Sequence, residues 1–119
     1  MAKVRVFHYP QCSTCKKAIK WLGEHDVAVE LIDIVQEPPN KAELRQALKD
    51  SGLPLRKLFN TSGVSYREGG FGERLPNMSE AEAIDALAKD GKLIKRPLLL
   101  GNGFALVGFD ENAYSGTLT

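Results

Sequence analysis

The chain has 119 residues, 43% of them hydrophobic and 26% charged, with sixteen Lys and Arg against fifteen Asp and Glu for a formal net charge of +1. This is the make-up of one soluble globular domain spanning residues 1–119, and so even a charge balance gives no electrostatic case for wrapping nucleic acid or an anionic membrane. Apolar runs such as "PLLL" and "FALVGF" are too short to span a bilayer, and "MAKVRVF" enters a strand-like pattern without the apolar core of a signal peptide, so a cytoplasmic location is expected. There thiols are kept reduced, and a disulfide is one that forms and breaks.

Residues 3–8, "KVRVFH", mix β-branched and aromatic side chains and predict a first strand. "YPQ" is a loop, and from Ser13 the period changes. Cys15, Ala18, Ile19 and Leu22 fall at i, i+3, i+4 and i+7, the core stripe of a helix, with Lys16, Lys17 and Lys20 on the other side. "GEHD" ends that helix. "AVELIDIV" predicts a second strand, apolar enough to be buried on both faces.

"EPPN" then breaks the chain, and Asn40 sits three residues before Glu43 in an Asn variant of the capping box. Leu44, Ala47 and Leu48 give the following helix its inner face, and Ser51-Gly52 stops it. "LPLRKLF" suggests a short helix. After "NTSG" the pattern weakens as far as Asn77, and the Gly-rich "REGGFGE" reads as a loop or flap. Ser79 with Glu82 makes a second capping box ahead of the stripe Ala83, Ile84, Leu87 and Ala88, with Gly91 closing that helix. "RPLLL" and "FALVGF" around "GNG" predict a hairpin, and the tail from Asp110 predicts a last short helix.

The two cysteines, Cys12 and Cys15, stand in "HYPQCSTCKK" between the first strand and the first helix. A thiol attacks as the thiolate. At Cys12 the free N–H groups and the positive end of the helix dipole favour an anion, and Lys16 and Lys17 add positive charge. Cys15 lies one turn on, on the core stripe, and is expected to be less exposed. The pair is then asymmetric, with an outer thiolate that attacks and an inner thiol that resolves the mixed disulfide. Two alternatives stand beside this. His8, Cys12 and Cys15 could offer three ligands to zinc, although a structural site draws on two Cys pairs and no second pair exists. The cysteines could also be inert core residues. A Cys-x-x-Cys joining a strand and a helix of a βαβ unit favours redox chemistry without a metal. His8, four residues before Cys12, could tune the thiolate or shuttle a proton, or simply be satisfied by backbone groups. Trp21 and Tyr9 read as packing residues.

The order β-α-β, several helices, hairpin, helix resembles a thioredoxin-like fold: α/β, with a mixed sheet of about four strands and a helical insertion over about residues 40–92. In such domains the proline before the third strand is cis and faces the first cysteine. That resemblance implies a cis Arg96–Pro97 bond, with Arg96 aimed at Cys12 to stabilise a thiolate or a bound oxyanion. The alternative is a surface arginine and a proline that merely opens a strand.

"HYPQCSTCKKAIKWL", "PPNKAELRQAL", "LIKRPLLL" and "ALVGFDE" resemble, almost end to end, the glutaredoxin-coupled arsenate reductases and the Spx-type proteins that share their fold. The resemblance implies bacterial origin and a redox-active Cys12. Arsenate reductases of this type carry one catalytic cysteine in a Cys-x-x-Ser setting and hold the oxyanion with three arginines. Here only Arg96 matches an arginine. Asn60 stands at the second position and Gly108 at the third, while Cys15 is an added thiol. One arginine in place of three forfeits charge-assisted bonds worth about 1.5–3 kcal/mol each.

The departures therefore favour a thiol–disulfide oxidoreductase over arsenate reduction. In that reading Cys12 attacks, Cys15 resolves, and thioredoxin, glutaredoxin or glutathione recycles the pair, with no bound cofactor. The other reading is an Spx-like regulator that binds RNA polymerase and uses the same pair as its oxidation switch. Nothing in the sequence requires more than a monomer.

Overall fold

The computed structural model describes residues 3–119. Val4–His8 forms β1, Ser13–Glu24 forms α1, and Val29–Asp33 forms β2, parallel to β1 with Val6 opposite Leu31. The chain returns to the sheet only at Leu98–Leu100, β3, which pairs antiparallel with β1, and at Ala105–Val107, β4, antiparallel to β3. The sheet order is β2-β1-β3-β4. This is the mixed four-stranded, thioredoxin-like arrangement that the sequence predicts.

Strand alternation explains the layers. On β1, Val4 and Val6 join Leu99 of β3 against Ala18, Trp21 and Leu22 of α1 and Tyr114 of the last helix, α6, Glu111–Leu118. Phe7, Leu98 and Leu100 point the opposite way, into the larger core under the helices between β2 and β3. The central strands are thus apolar on both faces. β2 is not, contrary to expectation: it is an edge strand, and Leu31 is 48% exposed. The hydrophobic run continues past its end instead, into fully buried Ile34.

Lys41–Ser51 is α2, begun by the Asn40–Glu43 capping box and ended at Gly52. Leu55–Leu58 is a single 3₁₀ turn. The stretch read as a loop is helical: Val64–Glu68 forms α3 and Phe71–Arg74 forms α4. Its anchor is Phe71, buried against Phe59 and Tyr66 with ring centroids 5.7 and 6.1 Å away. Arg74 closes the unit, with its guanidinium 4.6 Å from the Phe71 ring and Nη1 donating to the Gly69 carbonyl at 2.8 Å.

Glu80–Lys89 is α5, begun by the Ser79–Glu82 capping box. Asp85 of α5 accepts from both Lys41 and Lys89 at 2.8 Å, so that one carboxylate ties α5 to the start of α2 and sits well below the usual carboxylate range. Gly91 is not the helix stop, which falls at Asp90; it opens the following 3₁₀ turn. Its lack of a side chain serves a close approach, since a Cβ there would lie 1.9 Å from the Ile34 carbonyl oxygen. In α1 the buried stripe runs through Trp21 rather than Ile19, which is only half-buried. Among the described residues no helix is long and apolar enough to cross a membrane.

Candidate functional site

Cys12 is the N-cap of α1. Its backbone is extended, its N–H donates to the Tyr9 carbonyl at 2.9 Å, and its carbonyl accepts from Lys16 N–H at 3.1 Å. Its Sγ accepts from the backbone N–H of Cys15 at 3.3 Å. A sulfur thus occupies the place that a Ser or Asp oxygen takes in ordinary N-caps, where free N–H groups and the helix dipole stabilise negative charge. No acidic residue stands in the first turn of α1 to oppose it.

Cys15 is fully buried, whereas Cys12 is half-exposed, and both are free thiols. Burial pushes the Cys15 thiol up from 9.0 to about 12, and the adjoining Cys12 adds to the rise. The Tyr9 backbone and the Arg96 charge pull the other way and are outweighed. The inner cysteine is therefore a protonated thiol at neutral pH.

Arg96 and Pro97 are joined by a cis peptide bond. The Arg96 guanidinium stacks over the Tyr9 ring, 5.0 Å from its centroid. Tyr9 therefore carries Arg96 on its ring and the Cys12 backbone on its carbonyl. Pro97 is buried, and its carbonyl accepts from Gly108 N–H at 2.9 Å.

An open cleft of about 410 Å³ lies beside Cys12, lined by Thr14, Asn60, Ser62, Gly63, Val64, Lys95 and Arg96. Its far wall is held by backbone ties between distant segments. Lys95 N–H donates to the Leu58 carbonyl and Asn60 N–H to the Leu93 carbonyl, both at 2.8 Å, around an isolated bridge between Phe59 and Ile94. Three sequence-predicted residues, Cys12, Asn60 and Arg96, meet here. Lys16 and Lys17 are exposed on α1, in no ion pair among those of the described residues, and do not line the cleft. His8 does not line it either; its carbonyl accepts from Ile34 N–H at 2.8 Å. Among the described residues no group of three or more His, Cys, Asp or Glu side chains is placed as metal ligands would be.

Sequence reasoning missed Thr14, Ser62, Val64 and above all Lys95. Lys95 stands next to Arg96 in "KRP", ahead of β3, and both line the cleft. Val64, 57% exposed at the cleft mouth, carries no sequence signal of its place.

Residues 7–117 match the ArsC family. The chain belongs to that family. It is 48% identical over 108 residues to the uncharacterized protein YusI of Bacillus subtilis, covering 91% of this chain and 92% of that one. It is 31% identical over 109 residues to an arsenate reductase of Neisseria meningitidis, at 91% and 92% coverage. Among solved structures, an ArsC family related protein from Bacteroides fragilis superposes with a TM-score of 0.93 at 44% identity, over 97% of each chain. Two of the three arginine positions that the resemblance implied hold Asn60 and Gly108 in this ArsC family chain. Gly108 has φ +76°, a conformation that L side chains rarely adopt.

Proposed function

We propose that this ArsC family protein is a thiol–disulfide oxidoreductase in which Cys12 attacks and Cys15 resolves. The observation that carries the reading is the placement of Cys12 Sγ at the helix N-cap, with the buried Cys15 thiol directly beneath it. The Cys12 thiolate attacks one sulfur of a substrate disulfide, forming a Cys12–substrate disulfide and expelling the other substrate sulfur as a thiolate. Cys15 then attacks Cys12 Sγ, closing a Cys12–Cys15 disulfide, while its proton goes to the departing substrate sulfur. The substrate gains two electrons and the protein loses two. Thioredoxin, glutaredoxin or glutathione returns them as an external reductant, and no bound cofactor takes part.

Arsenate fits this cleft less well. Among the described residues the cationic groups lining it are Arg96 and Lys95, alongside the neutral Asn60 amide. A doubly charged oxyanion would then lack the bidentate guanidinium contacts that reward its desolvation.

The test is intact mass spectrometry of the reduced protein after reaction with hydroxyethyl disulfide, on the wild type and on Cys15→Ser. The wild type is expected to lose two hydrogens with no adduct, and Cys15→Ser to retain a hydroxyethylthio adduct on Cys12. Stable adducts on the wild type would sink the pair mechanism. Retention of RNA polymerase from lysate, altered by the oxidation state of the pair, would move the reading to a redox-switched regulator.

A further inference from the structure

The thiol cleft does not end at Lys95. A second cleft, of about 400 Å³, opens on the other side of that residue, lined by Arg56, Lys57, Phe59, Thr61, Tyr66 and Lys95. Residues 59–62 form the ridge between the two. Asn60 and Ser62 face the thiol cleft, whereas Phe59 and Thr61 face the second.

The charge in this double cleft is one-sided. Arg56, Lys57, Lys95 and Arg96 line it, and no Asp or Glu does. The ion pairs of the described residues are Arg5–Glu43, Lys41–Asp85 and Lys89–Asp85, and none of these four cations takes part in them. In a chain of net charge +1, this is a local concentration and not a reflection of a basic protein. Clefts lined by one sign of charge focus the field and draw in oppositely charged partners. The partly exposed Tyr66 ring adds apolar wall beside the charges, suited to the carbon framework of a peptide rather than to a bare ion.

We propose that the second cleft anchors an acidic peptide segment of the substrate protein, next to the cysteine that Cys12 attacks. This rests on the redox-pair reading and adds the substrate class to it. Carboxylates of the segment pair with Arg56, Lys57 and Lys95, while its cysteine reaches across the ridge to Cys12. Charge selects the partner here, and the thiols carry out the exchange. Arg56 and Lys57 are specificity residues that touch neither cysteine.

The test uses two short peptides, each with one cysteine as its 2-thiopyridyl disulfide, flanked by glutamates in one and by glutamines in the other. Attack by Cys12 releases pyridine-2-thione and gives the rate. The wild type is expected to favour the acidic peptide by about tenfold at low ionic strength, with the preference shrinking as salt is added. Arg56→Gln combined with Lys57→Gln should remove most of that preference, read as the ratio of the two peptide rates, whereas Lys92→Gln, at an exposed lysine that lines neither cleft, should behave as wild type. Equal rates for the two peptides on the wild type, or an undiminished preference in the double variant, would overturn the proposal. Fluorescence anisotropy of the reduced, labelled peptides on Cys12→Ser protein separates the two claims, because it reads binding without chemistry. If no thione is released from the wild type, the redox reading fails. Tighter binding of the acidic peptide, lost on changing Arg56 and Lys57, still supports the anchoring cleft, and equal binding of both peptides overturns it.

Discussion

The backbone N–H of Cys15 points at the Sγ of Cys12 across 3.3 Å. Because the donor is main chain, the contact does not depend on the Cys15 thiol. Cys15→Ala is therefore expected to keep the rate of the first attack within about threefold, while abolishing resolution, so that Cys12 mixed disulfides accumulate. Cys12→Ser should lose both steps. Stopped-flow kinetics with mass spectrometry of the quenched products checks this, and a first step that collapses in Cys15→Ala would contradict it.

Arg96 reaches the site from a second direction, fixed on the Tyr9 ring. Removing its charge with Arg96→Ala should slow attack by Cys12 about tenfold, equivalent to about 1.4 kcal/mol in the barrier. Arg96→Lys restores the charge without the planar stack and should recover only part of the loss. The bimolecular rate with a neutral small disulfide is the readout.

The raised Cys15 thiol makes a prediction about pH. Above its ordinary value of 9.0 the unfolded chain has released this proton, whereas the folded chain holds it to about 12. The folded state then binds more protons, so stability falls as pH rises through that window, by at most about 1.4 kcal/mol per pH unit. Below pH 9 the group contributes no slope. Urea unfolding under reducing conditions at pH 8, 9 and 10 should show the fall in the wild type and a shallower one in Cys15→Ala. Parallel profiles for the two proteins would contradict it.

Much of this fold is legible in the sequence wherever local chemistry decides. The capping boxes at Asn40–Glu43 and Ser79–Glu82, the turn at "GNG" and the thiol-bearing strand-to-helix junction each rest on neighbours within four residues. What escaped depends on distant partners. Nothing near "AVELIDIV" says that β2 lies at the sheet edge; that follows from β3 taking the other side of β1. Two adjacent glycines break the helical period around Phe71, and its burial against Phe59 and Tyr66 overrides them. The candidate site divides in the same way. Cys12, Cys15 and Arg96 announce themselves by motif. Lys95 and Val64 enter the cleft only because the segment around residue 59 is tied to the segment around residue 94.

Gly91 shows what such long-range fit costs to disturb. A methyl group there meets the Ile34 carbonyl oxygen at 1.9 Å, and the obstacle is backbone that no rotamer change relieves. Gly91→Ala is expected to destabilise the protein by more than about 3 kcal/mol, at or beyond the upper end of ordinary overpacking. Chemical denaturation gives the number, and a change below about 1 kcal/mol would show that the two segments separate easily.

The central claim is that Cys12 and Cys15 exchange reversibly as one pair, and the reduction potential of that pair tests it most directly. Equilibration in thioredoxin and glutathione redox buffers, followed by acid quench and mass spectrometry, should give a single two-electron transition. The expected potential lies between roughly −180 and −270 mV, the range of enzymes that exchange disulfides in a reducing compartment. If no intramolecular disulfide forms in any buffer, the pair mechanism is wrong and Cys12 acts alone.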